Sequence, residues 1–235
     1  MADDRYSIYR GYIETQRTEY EKAIIQIYQI IQKLKEGIVI GDKKIRVKGS
    51  LEVEGRIKAF MSAFKNDKTK AKALDDCFGI RVVGKNAIEV KLVQQILKRM
   101  KNPRIREALG DAIFDDSNFG VISEKNHAER VETNYNAVHQ IVVRNEEDLN
   151  SPLIEIQYWD EETKDRCLYG DLNHLKYKKV SEKEIEIKKQ KMAVGEVGKE
   201  LPEYYCFDKN GRLYVLNKEE ALKKLFPYED ELEIG

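Results

Sequence analysis

Two carboxylates, Asp76 in LDDCFGIRVVG and Glu155 in SPLIEIQYW, sit on or beside apolar strand-like runs far apart in the chain. Core strands rarely carry a carboxylate unless it has a partner or a task. Brought together at the edge of one sheet, the two would make a site for a hard divalent cation, Mg²⁺ in the usual case. Arg46, Lys48, Arg56 and Arg81 supply cations of the kind that grip phosphate oxygens. Acid pair, metal and cationic clamp together point to phosphoryl-type transfer on a nucleotide.

The elements that must position these residues are those of a globular α/β chain. The 235 residues suffice for one full domain with a sizeable core and an appendage. Lys+Arg and Asp+Glu balance at 42 each, so the global basic charge of a typical nucleic-acid binder is missing, although a local basic groove is not excluded. Apolar residues make up 41% and fall in well-patterned segments, which argues against disorder. Cys77, Cys167 and Cys206 are isolated, without zinc spacing, and read as free thiols of a reducing, cytoplasmic compartment. The polar N-terminus is no signal peptide, and no apolar run is long enough to span a membrane.

Tyr20, Ile24, Ile27, Ile31 and Leu34 form an apolar stripe that predicts one long helix over about 4–36, packed on a sheet and ending at Gly37. GDKKIRVKGS predicts a short extended segment. Leu51–Phe64 reads as helical, with Ile57, Phe60, Met61 and Phe64 on one side. FGIRVVG is a strand. Asn86 caps a helix over 87–100 that carries Ile88, Leu92, Ile96 and Met100. FGVISE, AVHQIVVR and LIEIQYW are further strands, the last two a hairpin-like pair. A helix follows from Glu161 to about Lys178, then a charged stretch. Asn210-Gly211, between two apolar runs, marks a C-terminal hairpin that reads as a separate small unit, closed by the helix KEEALKKLF. The predicted organisation is residues 1–40 as N-terminal helix, 41–180 as core, and 181–235 as charged linker, hairpin and helix.

Four blocks, RVKGSLEVEGRIK, DDCFGIRVV, NYNAVH and EIQYW followed by YGDLNHLKYK, occur in the order and spacing of the synthetase domain of the RelA/SpoT family. The chain resembles that family over roughly residues 40–180. The resemblance implies a nucleotidyltransferase-like α/β fold with a mixed, largely antiparallel sheet flanked by helices. It also implies Mg²⁺-dependent transfer of the pyrophosphate of ATP to the 3′-hydroxyl of GDP or GTP, making (p)ppGpp and AMP. No His-Asp metal motif lies upstream, so the reading is a small, single-function synthetase.

Carried over residue by residue, the resemblance makes Asp76 a metal ligand, and Glu155 a metal ligand and base for the attacking hydroxyl. Arg46 and Lys48 match the R-x-K donor motif, and Arg81 is implied to stack on adenine or contact phosphate. Arg56 stands where the family usually has Lys, and Glu52 where it usually has Ser. Tyr135 corresponds to the tyrosine that stacks on the acceptor base; His139, Gln157, His174 and Lys178 line the acceptor side. Gln157 shares the strand parity of Glu155 and therefore its face.

The acceptor is where the pattern departs. The loop before Tyr135 carries Lys125 and Arg130 but also Glu124, Glu129 and Glu132, where family members that use guanosine nucleotides have a basic loop. A toxin-type member that pyrophosphorylates the 3′ end of tRNA, or makes an adenosine alarmone, is the alternative. A degenerate nucleotide-binding regulator is a third reading, against which the intact Asp76 and Glu155 speak. Expected partners are ATP and a guanosine nucleotide or tRNA 3′ end, with a homo-oligomer and an antitoxin partner left open.

Overall fold

The computed structural model describes residues 2–63, 74–75, 77–114, 120–126, 138–143, 151–168 and 201–225. Helix α1 (Ala2–Glu36) leads into a small hairpin of β1 (Ile38–Ile40) and β2 (Lys43–Ile45). Strand β3 (Leu51–Ile57), the helical turn α2 (Phe60–Ala63) and strand β4 (Phe78–Gly84) follow. Helices α3 (Ala87–Lys98) and α4 (Pro103–Leu109) lead, through a 3-10 turn at Asp111–Phe114, to β5 (Gly120–Asn126), β6 (Val138–Val143) and β7 (Leu153–Asp160). The described chain ends with α5 (Glu161–Leu168), β8 (Glu203–Phe207), β9 (Leu213–Val215) and α6 (Lys218–Leu225).

Seven strands form one sheet in the order β5-β6-β7-β4-β3-β8-β9. The central pair, β4 and β7, is parallel, and the other neighbours are antiparallel. This is the mixed, largely antiparallel α/β sheet that the resemblance implies. Glu155 therefore stands on a central strand rather than at the sheet's edge. No described helix is long and apolar enough to cross a membrane.

Strand alternation sorts the side chains onto two faces. Leu51, Val53 and Ile57 of β3, Phe78, Ile80 and Val82 of β4, and Ile154, Ile156 and Tyr158 of β7 are buried in one core. Covering them are Tyr20, Ile24, Ile27, Ile31 and Leu34 of α1, all fully buried, as the stripe predicts. Helix α3 lies on the same side, capped by the Asn86 side chain, which accepts from the backbone N–H of Ile88 and Glu89 at 3.1 Å each. Its buried residues include Val90, Val93, Ile96 and Leu97. Ile88, expected on that stripe, stands in the exposed first turn.

Two expectations need correction. Residues 51–57 are a strand and not a helix: the buried residues recur at every second position, with Glu52, Glu54 and Arg56 between them. The apolar cluster around Phe60 makes only a four-residue turn. The C-terminal hairpin is not separate either. β8 pairs with β3 from Gly55↔Tyr205 to Ile57↔Glu203 and so extends the main sheet. The Asn210-Gly211 turn forms as predicted, with the Asp208 side chain accepting from the backbone of Asn210 and Arg212, and Gly211 at φ 75°.

Helix α1 also enters the sheet. The Tyr20 hydroxyl donates to the Gly79 carbonyl at 2.5 Å and accepts from the Arg56 N–H at 2.6 Å, bridging two residues paired across β3 and β4. Gly55 makes room for it, since a Cβ there would lie 2.4 Å from Ile24 Cδ1 and 2.8 Å from the Tyr20 hydroxyl.

Candidate active site

The face of the sheet opposite α1 carries most of the described candidate residues. Strand register lays two rows of residues across it. One runs Lys125, His139, Gln157, Arg81, Glu54 through β5, β6, β7, β4 and β3. The other runs Ile141, Glu155, Gly79, Arg56, Tyr204 through β6, β7, β4, β3 and β8. Adjacent members are about 5 Å apart, the spacing of paired strands. Six residues that the sequence singles out thus fall on two neighbouring rows: Lys125, His139, Glu155, Gln157, Arg56 and Arg81.

The described side chains of these rows are linked. Gln157 Nε2 donates to Glu155 Oε2 at 3.2 Å. Arg81 Nη2 donates to Gln157 Oε1 at 3.3 Å, so the Gln157 amide relays between the carboxylate and the guanidinium. Arg81 also lies 3.6 Å above the Trp159 ring, which holds its guanidinium flat. Between Arg56 and Glu155 stands Gly79. Among the described residues, a Cβ at Gly79 would meet nothing closer than the carbonyl oxygens of Arg56 and Glu155, both at 3.8 Å. Those residues therefore leave a hollow there, flanked by a cation on one side and a carboxylate on the other. Arg56 Nε is buried and finds no hydrogen-bond partner among the described residues.

Further along β3, Glu54 forms an ion pair with Lys224 of α6 and lies 3.8 Å from Arg81. Burial opposes the charge on Lys224, but Glu54 more than offsets this and holds its pKa above the ordinary lysine value. Tyr204 sits beneath this group, with Arg56 at 5.7 Å and Lys224 at 5.9 Å from its ring centre. Burial raises its phenol pKa. Glu52 pairs with Lys164 of α5 at 2.9 Å. Sequence reasoning missed Glu54, Tyr204 and Lys224, because the segment that brings the last two was read as a detached unit.

Arg46 and Lys48 are exposed and stand either side of buried Val47, in the stretch before β3. Arg46 Nε donates to the Lys35 carbonyl at the end of α1, at 3.0 Å. The backbone N–H groups of Lys48 and Gly49 donate to Glu89 of α3. Both residues are thus tied to the helical layer, not to the two rows. Asp76, Tyr135, Arg130, His174 and Lys178 lie outside the described residues. Among the described residues no group of three or more His, Cys, Asp or Glu forms a metal site. Glu155, a hard oxygen donor beside the hollow, has the donor chemistry of a Mg²⁺ ligand. Position 76 directly precedes Cys77 at the entrance to β4, the strand parallel to and paired with that of Glu155.

Comparison with solved structures finds this fold elsewhere. Small alarmone synthetase 1 from Bacillus subtilis superimposes with a TM-score of 0.52 at 14% identity, over 79% of this chain and 88% of that one. The same synthetase bound to its product pppGpp gives 0.51 at 17% identity, over 77% and 87%. A GTP pyrophosphokinase family protein from Streptococcus pneumoniae gives 0.52 at 18%, over 77% and 83%. At these identities the likeness is one of fold. The chain matches no curated protein at a significant level. The family model for the region found in RelA / SpoT proteins matches residues 55–182, more than half of the chain and the stretch that holds both rows except Glu54 and Tyr204. The chain belongs to the RelA/SpoT family.

Proposed function

We propose that the chain transfers pyrophosphate from ATP to the 3′-hydroxyl of GDP or GTP, making (p)ppGpp and AMP. The observation that carries this reading is the hydrogen-bonded series Glu155–Gln157–Arg81 beside the hollow at Gly79. A carboxylate and a guanidinium on adjoining strands of one face support a proton acceptor beside a phosphate-binding cation. Structurally similar proteins, a small alarmone synthetase bound to pppGpp and a GTP pyrophosphokinase family protein, support the same reading.

In the reaction, the acceptor's 3′-oxygen attacks the β-phosphorus of ATP. The bond from that phosphorus to the α–β bridging oxygen breaks, AMP leaves, and the hydroxyl proton passes to the Glu155 carboxylate. Gln157, donating to Oε2, fixes the rotation of that carboxylate. Arg81, held flat by Trp159, and Arg56 meet the charge on the transferred group. Asp76 and Glu155 would hold Mg²⁺, which when bound neutralises charge on the triphosphate. Tyr135, His139 and Lys125, with Arg130, His174 and Lys178, form the acceptor side in this reading. Arg46 and Lys48 would serve the donor from the rim.

The acidic residues Glu124, Glu129 and Glu132 favour one second reading, the same chemistry on a tRNA 3′ end or an adenosine nucleotide. Purified protein is incubated with ATP labelled in the γ-phosphate and, in turn, GDP, GTP, AMP or ADP, and bulk tRNA. Label on GDP or GTP is the expected result. Label on tRNA or adenosine nucleotides alone establishes the second reading. Transfer to no acceptor defeats both.

A further inference from the structure

The C-terminal segment 201–225 lies beyond the stretch that matches the family, yet α6 sets a lysine on the reactive face. Lys224 reaches Glu54, whose carboxylate also lies 3.8 Å from Arg81. Arg56 is two residues along the same strand, with its Nε buried and unpartnered among the described residues. Lys224 and Arg56 flank the Tyr204 ring at similar distances. Among the described residues, Lys224 and Arg81 share the Glu54 carboxylate, and Arg56 stands beside them against the Tyr204 ring, so three cations lie close to one carboxylate. Glu54 is two strand spacings from Gln157, about 10 Å. That separation is short enough for one polyphosphate to lie beside Glu155 and still touch Lys224.

We infer that Lys224 is a binding residue for the β- and γ-phosphates of the donor nucleotide, and that Glu54 occupies its ammonium until the phosphates displace it. The inference rests on the proposed donor site and adds to it a residue from outside the family region. It assigns the C-terminal hairpin a task. By pairing β8 with β3, the hairpin carries α6 to the donor end of the face. Glu54 acts as a competitor. Its carboxylate keeps Lys224 and Arg81 oriented and must surrender them when phosphate arrives.

The test measures binding of AMP and of an ATP analogue with a methylene bridge between the α- and β-phosphates, which cannot transfer pyrophosphate. Titration calorimetry compares the full-length protein with Lys224→Met, Glu54→Gln and the double variant. Lys224→Met is expected to weaken the ATP analogue about tenfold and AMP less than twofold, because only the analogue carries the β- and γ-phosphates. Glu54→Gln is expected to tighten the analogue several-fold, the opposite of what loss of a purely structural ion pair would do. The double variant removes both charges, so it keeps the fold even if Lys224→Met alone does not, and it should bind the analogue less tightly than Glu54→Gln. Equal binding of the analogue by the unmutated protein and Lys224→Met, or by Glu54→Gln and the double variant, overturns the inference and leaves the donor site standing. Equal losses for AMP and the analogue overturn it too. Failure of the unmutated protein to bind the analogue at all removes the donor site and the inference together.

Discussion

The two faces of the sheet are built on opposite terms. The face under α1 is apolar and close-packed, and Tyr20, Ile24, Ile27 and Leu34 have no exposed surface there. The other face keeps its charges and satisfies them in pairs: Glu52 with Lys164, Glu54 with Lys224 and Arg81, Glu155 with Gln157. Burial of apolar surface drives folding at about 25 cal/mol per Å², whereas partly exposed ion pairs contribute little. The first face therefore carries the stability, which leaves the second free to be arranged for chemistry. Substitutions that act on one face alone test this division.

The largest effect is expected at Glu155. Glu155→Gln keeps shape and a hydrogen-bond acceptor but removes the base. Pyrophosphate transfer should fall by about 10³-fold, or ~4 kcal/mol of transition-state stabilisation, while the thermal midpoint stays nearly constant. A parallel fall in stability would mean that the carboxylate holds the sheet together, and the separation of the faces would fail.

Gly55→Ala is the reciprocal probe. It adds one methyl on the helix side, into space already held by Ile24, Tyr20 and Tyr205. A loss of about 3 kcal/mol in urea unfolding is expected from overpacking. Loss below 0.5 kcal/mol would show that α1 yields easily and is no rigid support.

Tyr20 links the packed face to the backbone of the other face's residues. From the α1 side its hydroxyl reaches the sheet backbone and bridges Arg56 with Gly79, the residue at the hollow. Tyr20→Phe should cost about 2 kcal/mol, because it leaves a buried N–H and a buried carbonyl without this partner. Transfer should also slow about tenfold through displacement of Arg56. If stability falls and the rate per folded molecule does not, the helix supports the sheet without setting the geometry of the site.

The same division governs how much could be read from the sequence. The stripe of α1 repeats over many turns, so its period stands out from chance. Glu155 and Gln157 share a face by parity alone, and register brings them beside Arg81. Strand β3 escaped because its signal is short: Gly55 interrupts the inward row, and the apolar residues from Ile57 to Phe64 imitate a helical face. The Asn210-Gly211 turn was legible because turn chemistry is local. Its docking on β3 was not, since the pairing of Tyr205 with Gly55 joins distant parts of the chain. The ion pair of Glu54 with Lys224 followed it out of view, as two charges among many give no pattern until the strands bring them together.

The smallest predicted effect concerns the seam between the hairpin and α1, on the packed face. Arg17 Nη2 donates to Glu203 Oε1 at 2.8 Å, and Arg17 and Tyr205 complete the group. Burial pushes the Glu203 pKa upward, but the hydrogen bond and charge of Arg17 outweigh it, and the net shift is below the usual value of 4.5. A carboxylate whose folded pKa is depressed contributes stability above its unfolded pKa and loses it as pH falls through the folded one. The pair is about one-third exposed, so solvent screening limits its contribution to about 1 kcal/mol. Glu203→Gln should therefore be less stable than the unmutated protein by about that amount in urea at pH 7. The gap should close progressively below pH 4.5. Pyrophosphate transfer per folded molecule should not change, because the seam lies on the face away from Glu155. A stability gap that persists unchanged at pH 3 would assign the effect to packing rather than charge. A fall in transfer rate would mean that the hairpin's hold on β3 reaches the site.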